Sequence, residues 1–207
     1  TLEIAAVRPE TDNAVCVSFA VPEELAETFR FNQGQYLTLE TEIDNETVRR
    51  CYSICSGVYD GRLSVAIKRV EGGVFSNYAN EHFKVGDQIK VMPPQGECFV
   101  PLQPEGNRKY LFIAAGSGIT PIISNIKTIL EAEPDSFVTL LLGNQRSSTI
   151  MFREELSFLK NRYLTRFQSV NILSKADQGS DLLSGRLNNR KGGVFNKQLI
   201  TVADYDE

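Results

Sequence analysis

"KYLFIAAGSGITPIISNIKTILEAE", Lys109 to Glu133, is the stretch on which the fold turns. Its opening residues form an almost continuous apolar run, as in a strand buried on both faces, and Ile122, Ile126 and Ile129 then recur at helical spacing. Two glycines, Gly116 and Gly118, separate the two patterns. "FVTLLLG" (Phe137 to Gly143) follows as a second buried strand, "TIMFREELSFLKNR" (Thr149 to Arg162) as a second amphipathic helix and "FQSVNILS" (Phe167 to Ser174) as a third strand. That alternation predicts a parallel sheet with helices on its faces and ligands at the carboxyl ends of its strands.

Upstream the rhythm is different. "AVCVSFAV" (Ala14 to Val21), "QYLTLET" (Gln35 to Thr41), "RLSVAIKRV" (Arg62 to Val70) and "DQIKVMPP" (Asp87 to Pro94) are short alternating or β-branched runs between Gly and Asp turns. Five or six such strands in about 100 residues predict a small antiparallel barrel. "SNYANEHF" (Ser76 to Phe83) reads as one short helix within it. "PLQPEGNRK" (Pro101 to Lys109) breaks the pattern, so the expected domains are 1–104 and 105–207.

The chain has 207 residues, 42% hydrophobic and 23% charged, with a formal net charge of −4. That is ordinary globular composition without the basic stripe of a nucleic-acid binder. No apolar run approaches a membrane span and no signal-peptide order opens the chain, so the expectation is a cytoplasmic protein with neither nucleic-acid nor membrane partner. Cys16, Cys51, Cys55 and Cys98 lack paired metal spacing. With His82 the sole histidine, no metal site is expected and the thiols read as reduced packing residues.

Three stretches carry chemistry. In "AAGSGITP" (Ala114 to Pro121) Gly116 and Gly118 let backbone N–H groups approach a pyrophosphate at a helix N-terminus, and Pro121 suits the first helical turn. A plain glycine turn is the alternative. In "RCYSICSG" (Arg50 to Gly57), Arg50 and Tyr52 share one face of an extended segment, which sets a ring suited to stacking beside a guanidinium suited to phosphate. A surface Arg–Tyr pair is the bland reading. In "KRVEGGVFSNY" (Lys68 to Tyr78), Gly72 and Gly73 free the backbone before a helix whose N-terminus favours anions, and Ser76 adds a hydroxyl; a turn with a helix cap would look the same.

In this order and spacing the three stretches resemble the ferredoxin–NADP reductase superfamily, whose fold is a flavin-binding antiparallel β-barrel followed by a parallel α/β nucleotide-binding domain. "RCYS" is similar to its R-x-Y-S/T flavin signature, "GGVFS" to its second flavin motif and "AAGSGITP" to its nicotinamide-side loop. Within the superfamily the text looks most like the reductases of phenylacetyl-CoA oxygenase systems. The resemblance implies an NAD(P)H-dependent FAD oxidoreductase, with Tyr52 on the isoalloxazine, Ser53 near its N5, Arg50 on the flavin phosphates and Cys51 beside them. Lys68 and the backbone of Gly73, Val74, Phe75 and Ser76, with Ala66 and Ile67, would complete the FAD site. Thr120 and Pro121 would stand with Gly116 and Gly118 at the nicotinamide. Gly143, Asn144 and Arg146, with Ser174 and Lys175, would meet the rest of NADPH, favoured over NADH by the serine–lysine pair.

The implied partners are a ferredoxin domain and oxygenase subunits, with a [2Fe–2S] centre only in a C-terminal domain that this chain lacks. The chain also ends at "ITVADYDE" (Ile200 to Glu207) without the family's closing strand segment, so a truncated nucleotide domain is expected. Rival readings are a flavodoxin, ferredoxin or flavohaemoglobin-type reductase, or a flavin-binding module without catalysis.

Overall fold

A computed structural model describes residues 1–175 together with 184 and 185; the expectation about Ile200 to Glu207 lies outside them. The chain divides into two compact units, Thr1–Pro101 with Thr120–Thr128, and Leu102–Ile119 with Ile129–Glu207.

In the first unit six strands form one antiparallel sheet: β1 (Leu2–Thr11), β2 (Ala14–Ala20), β3 (Tyr36–Ile43), β4 (Glu46–Ser53), β5 (Leu63–Lys68) and β6 (Gln88–Val91). The order is β4-β3-β6-β1-β2-β5. Asp44 and Asn45 join β3 to β4 with φ of 52° and 64°, the pair of left-handed residues that matches the twist of a tight hairpin. The two edge strands approach each other just past β4. There Ile54 bridges Val65, and the Cys55 N–H donates to the Ser64 carbonyl at 2.9 Å. The sheet is therefore barrel-like, with a short seam in place of a full closing ladder.

Period-two alternation fills its interior. Ile4, Val17, Leu37, Leu39, Ile54, Val65 and Ile67 are all fully buried in one cluster. Helix α1 (Val74–His82) adds Phe75 and Ala79 to the same cluster. It starts two residues before the helix read from the sequence, because Gly72 takes φ +69° and turns the chain into it.

Helix α2 (Ile119–Ala132) supplies its middle turns, Thr120–Thr128, to this first unit. Ile119, Ile123, Ile126, Ile129 and Leu130 are buried, and so are Ser124, Lys127 and Thr128. The apolar stripe visible in the sequence is thus one side of a helix buried nearly all round.

The second unit holds a parallel sheet ordered β7-β8-β9, from β7 (Lys109–Ala115), β8 (Phe137–Asn144) and β9 (Phe167–Leu173). β8 is central, and Val138, Leu140, Leu141 and Leu142 are buried. Helix α3 (Arg153–Arg162) starts later than the sequence pattern suggests, because Phe152 takes a left-handed φ of 59° and ends a buried Ile150–Met151–Phe152 segment. Glu133 is fully buried, and its carboxylate accepts from the Tyr110 hydroxyl at 3.0 Å, the Ser136 hydroxyl at 2.6 Å and the Gln103 N–H at 2.8 Å. A buried charge needs that many donors to offset its lost hydration.

Gly34 is the tightest backbone position of the first unit. It has φ +84°, and an added Cβ would lie 1.9 Å from the Cys98 carbonyl oxygen. Gly61 has a similar φ of +66° but open space around it. Gly34→Ala is expected to cost about 2–4 kcal/mol, or to prevent folding, while Gly61→Ala costs about 1–2 kcal/mol from backbone strain alone. Urea unfolding midpoints of the two variants measure the difference.

Candidate functional site

The end of β4 carries the first group of residues. Register pairs Leu37 with Tyr52 and Leu39 with Arg50, while Tyr36 and Thr38 stand opposite Ser53 and Cys51. Arg50 and Tyr52 therefore share one face and Cys51 and Ser53 the other. Tyr52 is half-buried, its ring 5.6 Å from that of Phe75 at 38°. Burial pushes its phenol up to about 12 despite the opposing pull of Arg50, so the hydroxyl stays protonated throughout the neutral range. Ser53 is half-buried, and its hydroxyl has no hydrogen-bond partner among the described residues.

Charge pairing separates neighbours along these strands. Arg49 is paired with Glu40, and Arg69 with Glu81 at 2.6 Å. Arg50 and Lys68, one residue away from each, have no carboxylate partner among the described residues; Arg50 donates only to the Arg49 carbonyl, at 2.6 Å. The unpaired Arg50 beside the half-buried Tyr52 ring leaves a local positive field suited to an anionic ligand.

Cys51 is exposed, 3.4 Å from the Thr38 hydroxyl. Cys16 and Cys55 are buried thiols, not joined as a disulfide, whose sulfurs lie 3.8 Å apart.

The second group surrounds the start of α1. Ala66 and Ile67 are buried, and the Ile67 side chain belongs to the barrel core. Phe75 likewise enters the core and supports the Tyr52 ring instead of lining a surface. The Ser76 hydroxyl accepts the Val70 N–H at 3.1 Å, which shapes the glycine turn. Val74 is exposed. Gly73 is the N-cap and offers no side-chain cap, so the first backbone N–H groups of α1 remain available to an anion.

Thr120 (7% exposed) and Pro121 occupy the first turn of α2. Both belong to the first unit, with Ser53.

In the second unit Gly116 takes φ +53°, and neither it nor Gly118 has any heavy atom within 4 Å of a built Cβ. The loop backbone is thus open to a close-lying ligand. Gly143 and Asn144 end β8, where the Asn144 side-chain amide nitrogen is buried without a hydrogen-bond partner among the described residues. The Ser174 and Lys175 N–H groups donate to the Asn144 and Gln145 carbonyls at 2.9 Å each. The parallel pairing therefore runs past β9 and brings this pair beside the end of β8. Arg146 and Lys175 are exposed and have no carboxylate partner among the described residues.

Sequence reasoning passed over Asp60, Ser124, Lys127 and Thr128. The one signal for them was polar residues at i, i+4, i+7 and i+8 from Thr120 on a helix otherwise rich in isoleucine.

Comparisons agree with this layout. Residues 2–99 match the oxidoreductase FAD-binding domain family and residues 112–196 the oxidoreductase NAD-binding domain family. The chain is 46% identical over all 207 residues to one of the subunits of the 1,2-phenylacetyl-CoA epoxidase of Escherichia coli K12, spanning 58% of that protein. It is 36% identical over 185 residues to the ferredoxin reductase component of the 3-ketosteroid-9-alpha-monooxygenase of Rhodococcus rhodochrous, covering 86% of this chain and 52% of that one. The chain thus spans little more than half the length of these relatives.

Among solved structures, the FAD/NAD-binding domain of a Vibrio cholerae nitric oxide dioxygenase superposes with a TM-score of 0.79 at 20% identity, over 99% of this chain and 94% of that one. A Neisseria gonorrhoeae ferredoxin–NADP+ reductase with bound FAD and NADP gives 0.75 at 21% identity, over 97% and 78%. At those identities the likeness shows the fold. With an FAD-binding domain on the antiparallel sheet and an NAD-binding domain on the parallel one, the chain belongs to the ferredoxin–NADP reductase family of oxidoreductases.

Proposed function

We propose that this chain is the flavin and pyridine-nucleotide part of a reductase that draws electrons from NAD(P)H through FAD and delivers them to an iron–sulfur partner serving an oxygenase. The observation that carries the reading is the contrast at β4 and β5: Arg50, Ser53 and Lys68 have no carboxylate or hydroxyl partner among the described residues, while Arg49 and Arg69 beside them are paired. A hydroxyl such as that of Ser53, kept half-buried and unsatisfied, is costly unless a ligand completes it, and the unpaired cations are open to an anion. The acceptor and the oxygenase follow the names of the relatives, one belonging to an epoxidase and the other a ferredoxin reductase component.

Each residue has a separate task in this proposal. Arg50 and the N-terminus of α1 hold the flavin phosphates, with Lys68 adding positive charge. Tyr52, backed by Phe75, presents a neutral ring face for stacking. The Ser53 hydroxyl donates to the flavin ring at N5. Thr120 and Pro121 open the helix that follows the Gly116–Gly118 loop, which receives the dinucleotide, and Ser174 and Lys175 meet the ribose phosphate of NADPH. Bound FAD would supply the hydride chemistry and the step from two-electron to one-electron transfer. The proposal needs no acid–base pair from the chain, which binds, orients and neutralises.

The test is anaerobic mixing of the FAD-loaded protein with NADPH or NADH while the visible flavin band is followed. Rapid bleaching is expected, faster with NADPH. A protein that takes up no flavin, or whose flavin neither nucleotide bleaches, overturns the proposal. Ser53→Ala is expected to retain FAD yet slow reduction about tenfold, the equivalent of one hydrogen bond of about 1.4 kcal/mol at the transition state, read by stopped flow. Lys175→Ala should raise the Kd for NADPH and leave that for NADH unchanged in a binding titration.

A further inference from the structure

The buried polar stripe of α2 ends on one short segment. Ser56 to Val58 follow Cys55, just beyond the strand that carries Tyr52 and Ser53, and four of the six backbone polar groups there are bound from the helix or from Asp60. The Ser124 hydroxyl donates to the Ser56 carbonyl at 2.7 Å. The Val58 N–H donates to the Thr128 hydroxyl at 3.1 Å, and that hydroxyl in turn donates to the Ser124 carbonyl at 2.7 Å. The Gly57 N–H donates to the Asp60 carboxylate at 3.0 Å.

Lys127, its side chain only 8% exposed, is ion-paired with that carboxylate and reaches the Cys55 carbonyl at 3.4 Å. Arg62 lies 3.6 Å from the same carboxylate on its exposed side. Gly57 admits the helix at this point, since an added Cβ would stand 3.0 Å from the Lys127 Cβ. All these residues, with Ser53 and Thr120, belong to the first unit.

An ion pair that buries its lysine beneath a more exposed aspartate is a poor way to gain stability, because the lost hydration of the lysine offsets much of the attraction. What such a pair does well is hold a register. Thr120, Ser124, Lys127 and Thr128 fall on one helix face at intervals of four, seven and eight residues, so fastening its lower turns against Ser56–Val58 also fixes where Thr120 stands relative to the end of β4.

We infer that the Asp60–Lys127 pair, with Ser124 and Thr128, is a latch that positions Thr120 against Ser53 for hydride transfer. Its members are positioning residues with no contact to either cofactor. The inference rests on the flavin–nicotinamide reading above. Removing the latch leaves the flavin bound and shifts the helix turn that presents Thr120, so the step that needs two rings in register slows while steps that need the flavin alone do not.

Two variants test it. Asp60→Asn combined with Lys127→Met removes both charges together, so no unpaired ion is left buried. Thr128→Val keeps the shape and removes the acceptor of the Val58 N–H. Both are examined as FAD-loaded protein beside the unmodified chain. Amide hydrogen exchange at Gly57 and Val58 is expected to quicken about tenfold or more, reporting the latch without reference to activity. Flavin reduction by NADPH should slow about tenfold with the nucleotide Kd unchanged, and reduction by dithionite, which needs no ring register, should keep its rate.

NADPH reduction at the unmodified rate in a variant with freed amides overturns the latch while leaving the proposed function intact. Equal slowing with dithionite overturns it too, by placing the effect on the flavin alone. Should the charge variant fail to fold, Thr128→Val decides by the same readings. An unmodified protein that binds flavin but is not bleached by NADPH or NADH overturns the proposed function, and this role with it.

Discussion

The insertion of Phe75 into the barrel core is the contact on which the flavin side of the molecule depends. One side chain, fully buried among Leu37, Ile67 and their neighbours, ties α1 to the sheet and lies under the Tyr52 ring. Full burial of a phenylalanine is worth about 1.5–3 kcal/mol, and here it orients two elements at once. The Asn80 side-chain amide completes the attachment, donating to the Ile67 carbonyl at 3.0 Å and to the Ser76 carbonyl at 2.8 Å. With α1 held there, its uncapped N-terminus and the glycine turn before it lie where the end of β5 leads. The anion-friendly backbone and the stacking ring are therefore products of the same hydrophobic contact.

Electrostatics adds selectivity that packing cannot. Around the strands the cations divide into paired ones that tie the surface together and unpaired ones that do not. Lys90 and Arg49 converge on Glu40 and hold its carboxyl below the usual carboxylate range. Glu40 itself is buried and its two cations are exposed, and the pairing removes the charges of those cations from competition for a ligand. Arg50 and Lys68 keep theirs. Two further carboxylates are each held by donors: Glu133 in the interior, where it braces the nucleotide unit, and Asp60 nearer the surface, where it braces the turn after β4.

Much of this is legible in the residues. The switch from period-two runs to buried strand, glycine loop and helix separates antiparallel from parallel sheet, because each sheet type exposes its strands differently. R-x-Y-S and the glycine pairs can be recognised because their chemistry depends on adjacent positions. Local pattern is silent on where single side chains turn. The Ser76 hydroxyl completes the turn at Val70, and Phe75 and Ile67 send their side chains inward.

Sequence by itself therefore determined the two kinds of sheet, their order, and the presence of three phosphate-friendly stretches, all of which rest on short-range periodicity and backbone freedom. Tertiary structure alone decided which cations lost their charge to a neighbour, and that α2 is buried around most of its circumference. It also decided that Lys127 meets Asp60 across 67 positions of chain. Pairing and burial of that kind depend on distances between segments remote in sequence, which no local pattern encodes.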